Sequence, residues 1–238
     1  MKSERLRKIE AENAKLERET PFNFCDRWCE RCIPEKQMRC KLYQDELEQK
    51  LACIAHGKDE HDPETTEQVM LRQFEDMEKA IQNSLDEHGL ELDFEPGEDV
   101  KAEETANPRK PRKDDALVSA ADEYLKRARQ FLKANFYDKK LAEPELSADF
   151  DTVNWYHTLL TVKLQRALNG FDDLDADEDF ALYDTVAQFA VCQKAIKESI
   201  QALRNIQPYY PEQKIIFVQF LALLSNVSHR IQKLEESI

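Results

Sequence analysis

The scarcity of glycine is the feature that most constrains this fold, because the 238-residue chain contains only four glycines. Tight turns and short strand–helix loops often depend on glycine, since glycine readily adopts positive φ angles. Long helices with few connections need much less of it. Hydrophobic residues make up 41% of the chain and recur at helical spacing along most of it. The sequence therefore predicts an all-α protein.

Residues 116–238 carry four amphipathic helical patterns, in which apolar positions recur every three or four residues. The connections between the patterns are short, and short connections place successive helices antiparallel. Gly170 follows the second pattern, which begins near Asp149, and a glycine in that place is typical of a helix end. We therefore expect an antiparallel four-helix bundle over these residues.

A further helix is expected at the N-terminus, over residues 1–20. Its core positions follow coiled-coil spacing, at Leu6, Ile9, Asn13 and Leu16. Two heptads alone are marginally stable, so this helix needs a surface on which to pack. Two alternatives stay open: the helix joins two copies in a homodimer through residues 1–20, or it docks on its own chain.

Two more helices are expected before residue 89. The first begins near Lys41, and the second begins at Asp62-Pro63, a capping residue followed by proline at the first helical position. The second helix has one apolar face that is suited to the protein core or to a partner. The members of this face are Met70, Phe74, Met77, Ile81 and Leu85.

The chain changes character after these helices, because charged residues and prolines replace apolar residues. This composition is typical of a flexible linker. The predicted domains are residues 1–89, a helical segment with a metal site; residues 90–115, a flexible charged linker; and residues 116–238, the four-helix bundle.

Four of the six cysteines lie in one short block with the spacing C-x3-C-x2-C-x7-C. They are Cys25, Cys29, Cys32 and Cys40. Thiolates this close together can converge on one metal. The N-terminal residues lack the apolar region of a signal peptide, and in a reducing cytoplasmic compartment clustered cysteines are more often metal ligands than disulfides. The block therefore predicts a four-cysteine metal site.

Two metals fit four thiolates, and the sequence leaves both open. Zinc is the first choice, although structural zinc sites usually present paired C-x2-C knuckles and only one occurs here. A [4Fe-4S] cluster is the alternative. Four nearby cations would offset the negative charge of either site, namely Arg27, Arg31, Arg39 and Lys41. The first three cysteines are similar to the cluster signature of radical-SAM enzymes, but the fourth cysteine and the helical pattern exclude that class.

The sequence PFNFCDRWCERC, which begins at Pro21, and the later pair Arg39-Cys40 resemble a block found in uncharacterised bacterial proteins. The resemblance covers this block and, loosely, the helical remainder of the chain. It implies a bacterial, cytosolic setting and a shared four-cysteine site. It implies no activity.

The chain lacks the residue patterns of several chemistries that helical proteins support. Di-iron sites need Glu-x-x-His on two helices, and neither His157 nor His229 has a glutamate three residues before it. There is no glycine-rich phosphate loop. The acidic stretch 172–179 lacks the glycine and the glutamate that a calcium loop requires, so we interpret it as a loop that caps the next helix.

The net charge of −14 limits the classes of partner. It disfavours binding to nucleic acid and to anionic membranes, and the only dense basic run is residues 109–113. The longest apolar run is too short to span a bilayer. Lys163, Arg166 and Lys194 interrupt or flank apolar faces. They either meet an anionic ligand inside the bundle or extend their charged ends to solvent.

Together these observations predict a non-enzymatic, cytoplasmic protein that binds zinc through four cysteines and engages a protein partner through its helical bundle. An iron–sulfur redox or sensing protein that uses the same cysteines is the alternative. A third hypothesis is a nucleic-acid-associated protein that uses the cysteine block and the basic run 109–113.

Overall fold

A computed structural model describes residues 3–89, 116–137, 144–172 and 179–238. Within these ranges the chain forms eight α-helices and short 3-10 turns, and no strand, which confirms the all-α prediction for this part of the chain. None of the described helices is both long enough and apolar enough to cross a bilayer. The helices are α1 (Glu4–Glu19), α2 (Pro34–Gln37), α3 (Lys41–Ala55), α4 (Pro63–His88), α5 (Ala116–Asn135), α6 (Ser147–Asp172), α7 (Asp179–Ile206) and α8 (Lys214–Glu236).

The contacts divide the chain into two compact units. Unit 1 comprises Met1–Arg31 and Arg112–Ile238, and unit 2 comprises Cys32–Pro111. This division differs from the predicted one, in which residues 1–89 form a single segment, because the first 31 residues share contacts with the C-terminal helices. The predicted linker, residues 90–115 with its basic run, lies outside the described residues.

The core of unit 1 is formed by the C-terminal helices α5–α8. Helices α6 and α8 each pack against both α5 and α7. Phe131 lies at the centre of an aromatic cluster, with ring centroids 5.8 Å from Phe150, 5.3 Å from Phe217 and 5.8 Å from Phe220. Each fully buried aromatic side chain contributes about 2–3 kcal/mol of transfer free energy. Apolar burial is therefore concentrated in this unit.

Gly170 lies inside α6, and the prediction that it ends this helix is wrong. Helix α6 continues through it to Asp172. A Cβ atom at this position would lie 2.5 Å from Thr185 Oγ1 and 3.0 Å from the backbone oxygen of Ala181. The glycine therefore permits the close approach of α6 and α7 rather than a left-handed helix end.

Helix α1 docks on α7 within unit 1. Leu6 and Ile9 are buried against Leu182 and Val186. The Asn13 side chain donates a hydrogen bond to the Tyr183 carbonyl oxygen at 2.9 Å. The docking alternative therefore describes this structure, and a homodimer through residues 1–20, which stays a prediction, would require the same face to leave α7.

Unit 2 contains a hairpin of helices α3 and α4. The predicted start of α4 is confirmed, because Asp62 accepts a hydrogen bond from the Thr65 backbone N–H at 2.9 Å. The predicted end is confirmed as well, because Gly89 adopts a left-handed conformation with φ of 63°. Between the helices, Gln49 donates a hydrogen bond to Gln73 at 3.0 Å. Few apolar side chains are buried in this hairpin.

Candidate functional site

The first half of the cysteine block is anchored on α6 and α7 by Trp28. This side chain is buried, and its ring stacks on Trp155 with centroids 5.3 Å apart. It meets the Tyr156 ring edge-on at 5.8 Å, and Ala195 belongs to the same cluster. Offset-stacked and edge-on aromatic pairs are each favourable beyond their burial. Trp28 therefore holds residues 25–31 against unit 1.

Arg31 adds a second anchor. Its guanidinium lies 3.6 Å from the centre of the Trp28 ring, within cation–π distance. The same group donates hydrogen bonds to Thr152 Oγ1 at 2.9 Å and to the Ala148 carbonyl oxygen at 3.1 Å. The sequence suggested that Arg31 would offset the charge of a metal site, whereas here its charge serves to attach the segment to α6.

The buried Asp26 carboxylate is the polar centre of this attachment. It accepts hydrogen bonds from Tyr156 Oη at 2.7 Å, Lys194 Nζ at 2.7 Å and the Trp28 backbone N–H at 3.2 Å. Its backbone oxygen accepts a hydrogen bond from the Trp155 indole at 2.9 Å. Burial by itself would raise the pKa of Asp26, but the hydrogen bonds from Lys194 and Tyr156 outweigh burial, so this pKa lies below its ordinary value.

Tyr156 connects Asp26 to a second carboxylate. Its hydroxyl oxygen lies 2.7 Å from Asp26 Oδ2 and 2.8 Å from Glu198 Oε2. A single hydroxyl hydrogen can be donated to one of these oxygens at a time. Burial and the two carboxylates raise the pKa of Tyr156, so the hydroxyl stays protonated. The network joins residue 26 to α6 and α7 across more than a hundred positions of sequence.

The four predicted metal ligands differ in burial and in unit. Cys25 is half-buried, and its sulfur accepts a hydrogen bond from the Arg27 backbone N–H at 3.4 Å. Burial raises the pKa of the Cys25 thiol. Cys29 begins the 3-10 turn Cys29–Arg31. Cys32 is half-buried in unit 2, and the buried Cys40 in the same unit immediately precedes α3.

These cysteines form no disulfide, and all six cysteines of the chain lie within the described residues. Among the residues that the structure describes, no group of three or more His, Cys, Asp and Glu side chains is placed to hold a metal ion. Metal binding would therefore have to bring the thiols together. The four-cysteine site stays a prediction from the spacing.

The hairpin of unit 2 has an exposed apolar face, which we call the hairpin face. It consists of Met70, Leu71, Phe74, Met77 and Ile81, all at least 41% exposed. A cavity of about 630 Å³ lies beside its first part. Three glutamates, one lysine and one histidine also line this cavity, namely Glu46, Glu60, Glu67, Lys50 and His61. The sequence assigned Met70, Phe74, Met77 and Ile81 to the core or to a partner, and the described residues of unit 2 leave these four side chains exposed.

No sequence pattern groups Asp26, Trp155, Tyr156 and Lys194. The network that joins them depends on contacts between distant parts of the chain, which helical periodicity does not report. One signal was available, because Trp155 is a large aromatic residue next to, rather than on, the apolar face that contains Val153 and Tyr156.

A scan against known protein families found no match to this chain, and comparisons with curated proteins and with solved structures also found none. The resemblance of the cysteine block to bacterial proteins therefore stays a prediction.

Proposed function

We propose that this protein is a metal-binding interaction protein whose hairpin face binds a basic amphipathic helix of a partner protein. The exposure of the hairpin face carries this proposal. Contiguous apolar side chains on the surface of a folded unit mark sites of protein interaction. The side chains of the hairpin face are spaced along one side of α4, and such an arrangement can receive the apolar face of a partner helix.

Charge determines the chemistry of the proposed partner. Helix α4 contains seven acidic and two basic residues in its 26 positions. Glutamates outnumber lysines by three to one in the lining of the cavity beside the hairpin face. A partner helix with an apolar face and flanking lysines or arginines would therefore bury its apolar side chains and complement the acidic rim.

A synthetic peptide tests this proposal. A lysine-rich amphipathic helical peptide with a fluorescent label should bind the full chain, and anisotropy measures its affinity. Phe74→Asp places a charge in the centre of the face and should weaken binding at least tenfold, which corresponds to about 1.4 kcal/mol. Ile215→Asp is the matched control, because Ile215 is 73% exposed on α8 of unit 1.

Three results would contradict the proposal. The first is equal affinity of the peptide for wild type and Phe74→Asp. The second is equal binding of a glutamate-rich peptide with the same apolar pattern, because the acidic residues around the face would then not favour a basic partner. The third is a dimer in sedimentation experiments that Phe74→Asp dissociates, because the occupant of the face would then be a second copy of this chain.

We propose that Cys25, Cys29, Cys32 and Cys40 together bind zinc, with a [4Fe-4S] cluster as the alternative. The spacing of the four cysteines supports the proposal. Metal binding and folding are coupled where the ligands are not already assembled. Zinc would therefore order the chain around the cysteine block, close to the start of α3.

Anaerobic purification followed by metal analysis tests the site. About one zinc per chain and no visible absorption indicates a structural zinc site. About four irons per chain and a broad visible band indicates the cluster and would favour a redox or sensing role. Cys29→Ser and Cys32→Ser should each lose the metal, whereas Cys53→Ala, outside the block, should retain it. A wild-type chain without either metal would contradict the proposal.

We further propose that α5–α8 form the predicted antiparallel four-helix bundle and that the protein acts in the cytoplasm. The pairing of α6 and α8 with both α5 and α7 supports the bundle. The net charge of −14 supports a protein partner over nucleic acid.

A further inference from the structure

A second cavity, of about 540 Å³, lies in unit 1 between α6 and Arg27. Three of its lining residues are cations, Arg27, Lys163 and Arg166, and no described residue of the lining is a carboxylate. The chain as a whole contains 48 acidic and 34 basic residues. The lining is therefore a local concentration of positive charge, which attracts anions.

Lys163 is the most informative of these cations. The residue is only 7% exposed, and its ammonium makes no hydrogen bond or ion pair within the described residues. Burial and the nearby Arg166 lower the pKa of Lys163. Buried charged groups are ordinarily paired. An ammonium held in this way beside a cavity is suited to an anionic ligand.

The two arginines differ in how their charges are compensated. Arg166 donates two hydrogen bonds to Asp184, at 2.8 and 2.7 Å, so its charge is balanced and its position fixed. Arg27 has no side-chain hydrogen bond or ion pair within the described residues. It is also the only described non-glycine residue with a positive φ, of 59°. Strained backbone of this kind is concentrated at functional sites.

The apolar part of the lining suggests the shape of the ligand. Trp155 is held in one orientation by its stacking on Trp28 and by its indole hydrogen bond to the Asp26 carbonyl oxygen. Trp155 and Leu159 both line the cavity. Planar rings stack favourably on an aromatic side chain.

We propose that this cavity binds a small phosphate monoester, with the phosphate between Arg27 and Lys163 and a planar ring of the ligand along Trp155. A phosphate monoester carries a charge of about −1.5 to −2 at neutral pH, which matches the two uncompensated cations. The cavity volume lies within the range of about 300–1,000 Å³ that is usual for small-molecule sites. The inference does not use the hairpin face, and it takes Arg27 of the cysteine block as a contact to the phosphate.

Titration with adenosine monophosphate, followed by tryptophan fluorescence at constant ionic strength, tests the inference. The chain has two tryptophans, and they are the stacked pair beside the cavity. We expect saturable quenching by the monophosphate, at least tenfold weaker binding of adenosine, and competition by inorganic phosphate. Lys163→Met and Arg27→Gly should each weaken binding of the monophosphate at least tenfold, because each removes a charge-assisted contact.

Lys197→Met is the matched control, because this exposed lysine of α7 does not line the cavity. It should bind the monophosphate with wild-type affinity. Both test variants should fold, as circular dichroism can check, since one removes a buried charge and the other relieves a strained φ. Adenosine binding as tight as that of its monophosphate, absence of saturation at millimolar concentration, or wild-type affinity of both test variants would overturn the inference.

Discussion

Unit 1 buries most of its large apolar side chains, whereas unit 2 leaves most of its own exposed. Within the described residues, only three buried apolar residues belong to unit 2, Cys40, Cys53 and Val69, and the many others belong to unit 1. Ten of the fifteen exposed large apolar side chains belong to unit 2. A small unit that buries so little has little stability of its own. Unit 1 therefore has the properties of a scaffold, and unit 2 those of a binding surface.

The largest effect that this comparison predicts comes from Trp28→Ala. The substitution removes a buried aromatic ring, its stacking on Trp155 and the cation–π contact of Arg31. We expect unit 1 to lose about 3 kcal/mol of its free energy of unfolding. Urea unfolding followed by circular dichroism measures the change. Phe74→Ala, at a side chain that is 53% exposed in unit 2, should cost less than about 0.5 kcal/mol. Equal losses in the two variants would remove the distinction between the units.

Asp26→Asn should have the next largest effect, since it leaves Lys194 and Tyr156 without their shared carboxylate. We expect the free energy of unfolding to fall by about 2 kcal/mol at neutral pH. A fully buried ion pair would cost more, but the Lys194 side chain is 55% exposed.

The pH dependence of wild type sharpens this prediction. The pKa of Asp26 is lowered in the folded state from its ordinary 3.8. The ionised Asp26 carboxylate therefore contributes fully to the free energy of unfolding above pH 3.8. This contribution is lost as the pH falls through the lower pKa that Asp26 has in the folded state. Urea unfolding at stepped pH should show this loss in wild type and not in Asp26→Asn. If wild type and Asp26→Asn lose the same stability as the pH falls, other carboxyl groups are responsible for the pH dependence.

Gly170→Ala should have a smaller effect, at the contact of α6 with α7. The new Cβ would lie 2.5 Å from Thr185 Oγ1, so the helices must shift. We expect a net loss of about 1–2 kcal/mol, even though alanine is the better helix former. A double-mutant cycle with Thr185→Ala should show coupling, because the second change removes the crowded hydroxyl. Strict additivity would mean that the hydroxyl is not the obstacle.

The smallest effect is a gain in stability. Lys163→Met removes the charge of a residue that is largely buried and has no ion pair among the described residues, and should stabilise unit 1 by about 1 kcal/mol. Lys197→Met should leave the midpoint of urea unfolding unchanged. A loss of stability in Lys163→Met would show that this lysine supports the fold rather than a ligand.

Local patterns predicted much of this fold. The capping residue Asp62 and the terminal Gly89 of α4 lie where the sequence placed them, because both act through neighbouring backbone groups. Gly170 shows the limit of the same reasoning. A glycine that ends a helix and a glycine that admits a neighbouring helix look alike in sequence, and only the position of Thr185 distinguishes them.

The candidate site was predictable only in part. The spacing of the cysteines is visible in the sequence, but the anchoring of residues 25–31 depends on Tyr156 and Lys194, which lie more than a hundred residues away. The sequence left open whether Lys163, Arg166 and Lys194 meet an anion or extend to solvent. The structure separates them, because Lys194 pairs with Asp26 whereas Lys163 and Arg166 line a cavity.

Amide hydrogen exchange of the anaerobically purified chain, before and after removal of metal by a chelator, tests the central proposal most directly. If the four cysteines bind a metal that orders the chain around them, chelation should accelerate exchange at residues 25–55 and leave the amides of α5–α8 protected. The same exchange profile before and after chelation would contradict the proposal that this protein binds a metal through its cysteine block.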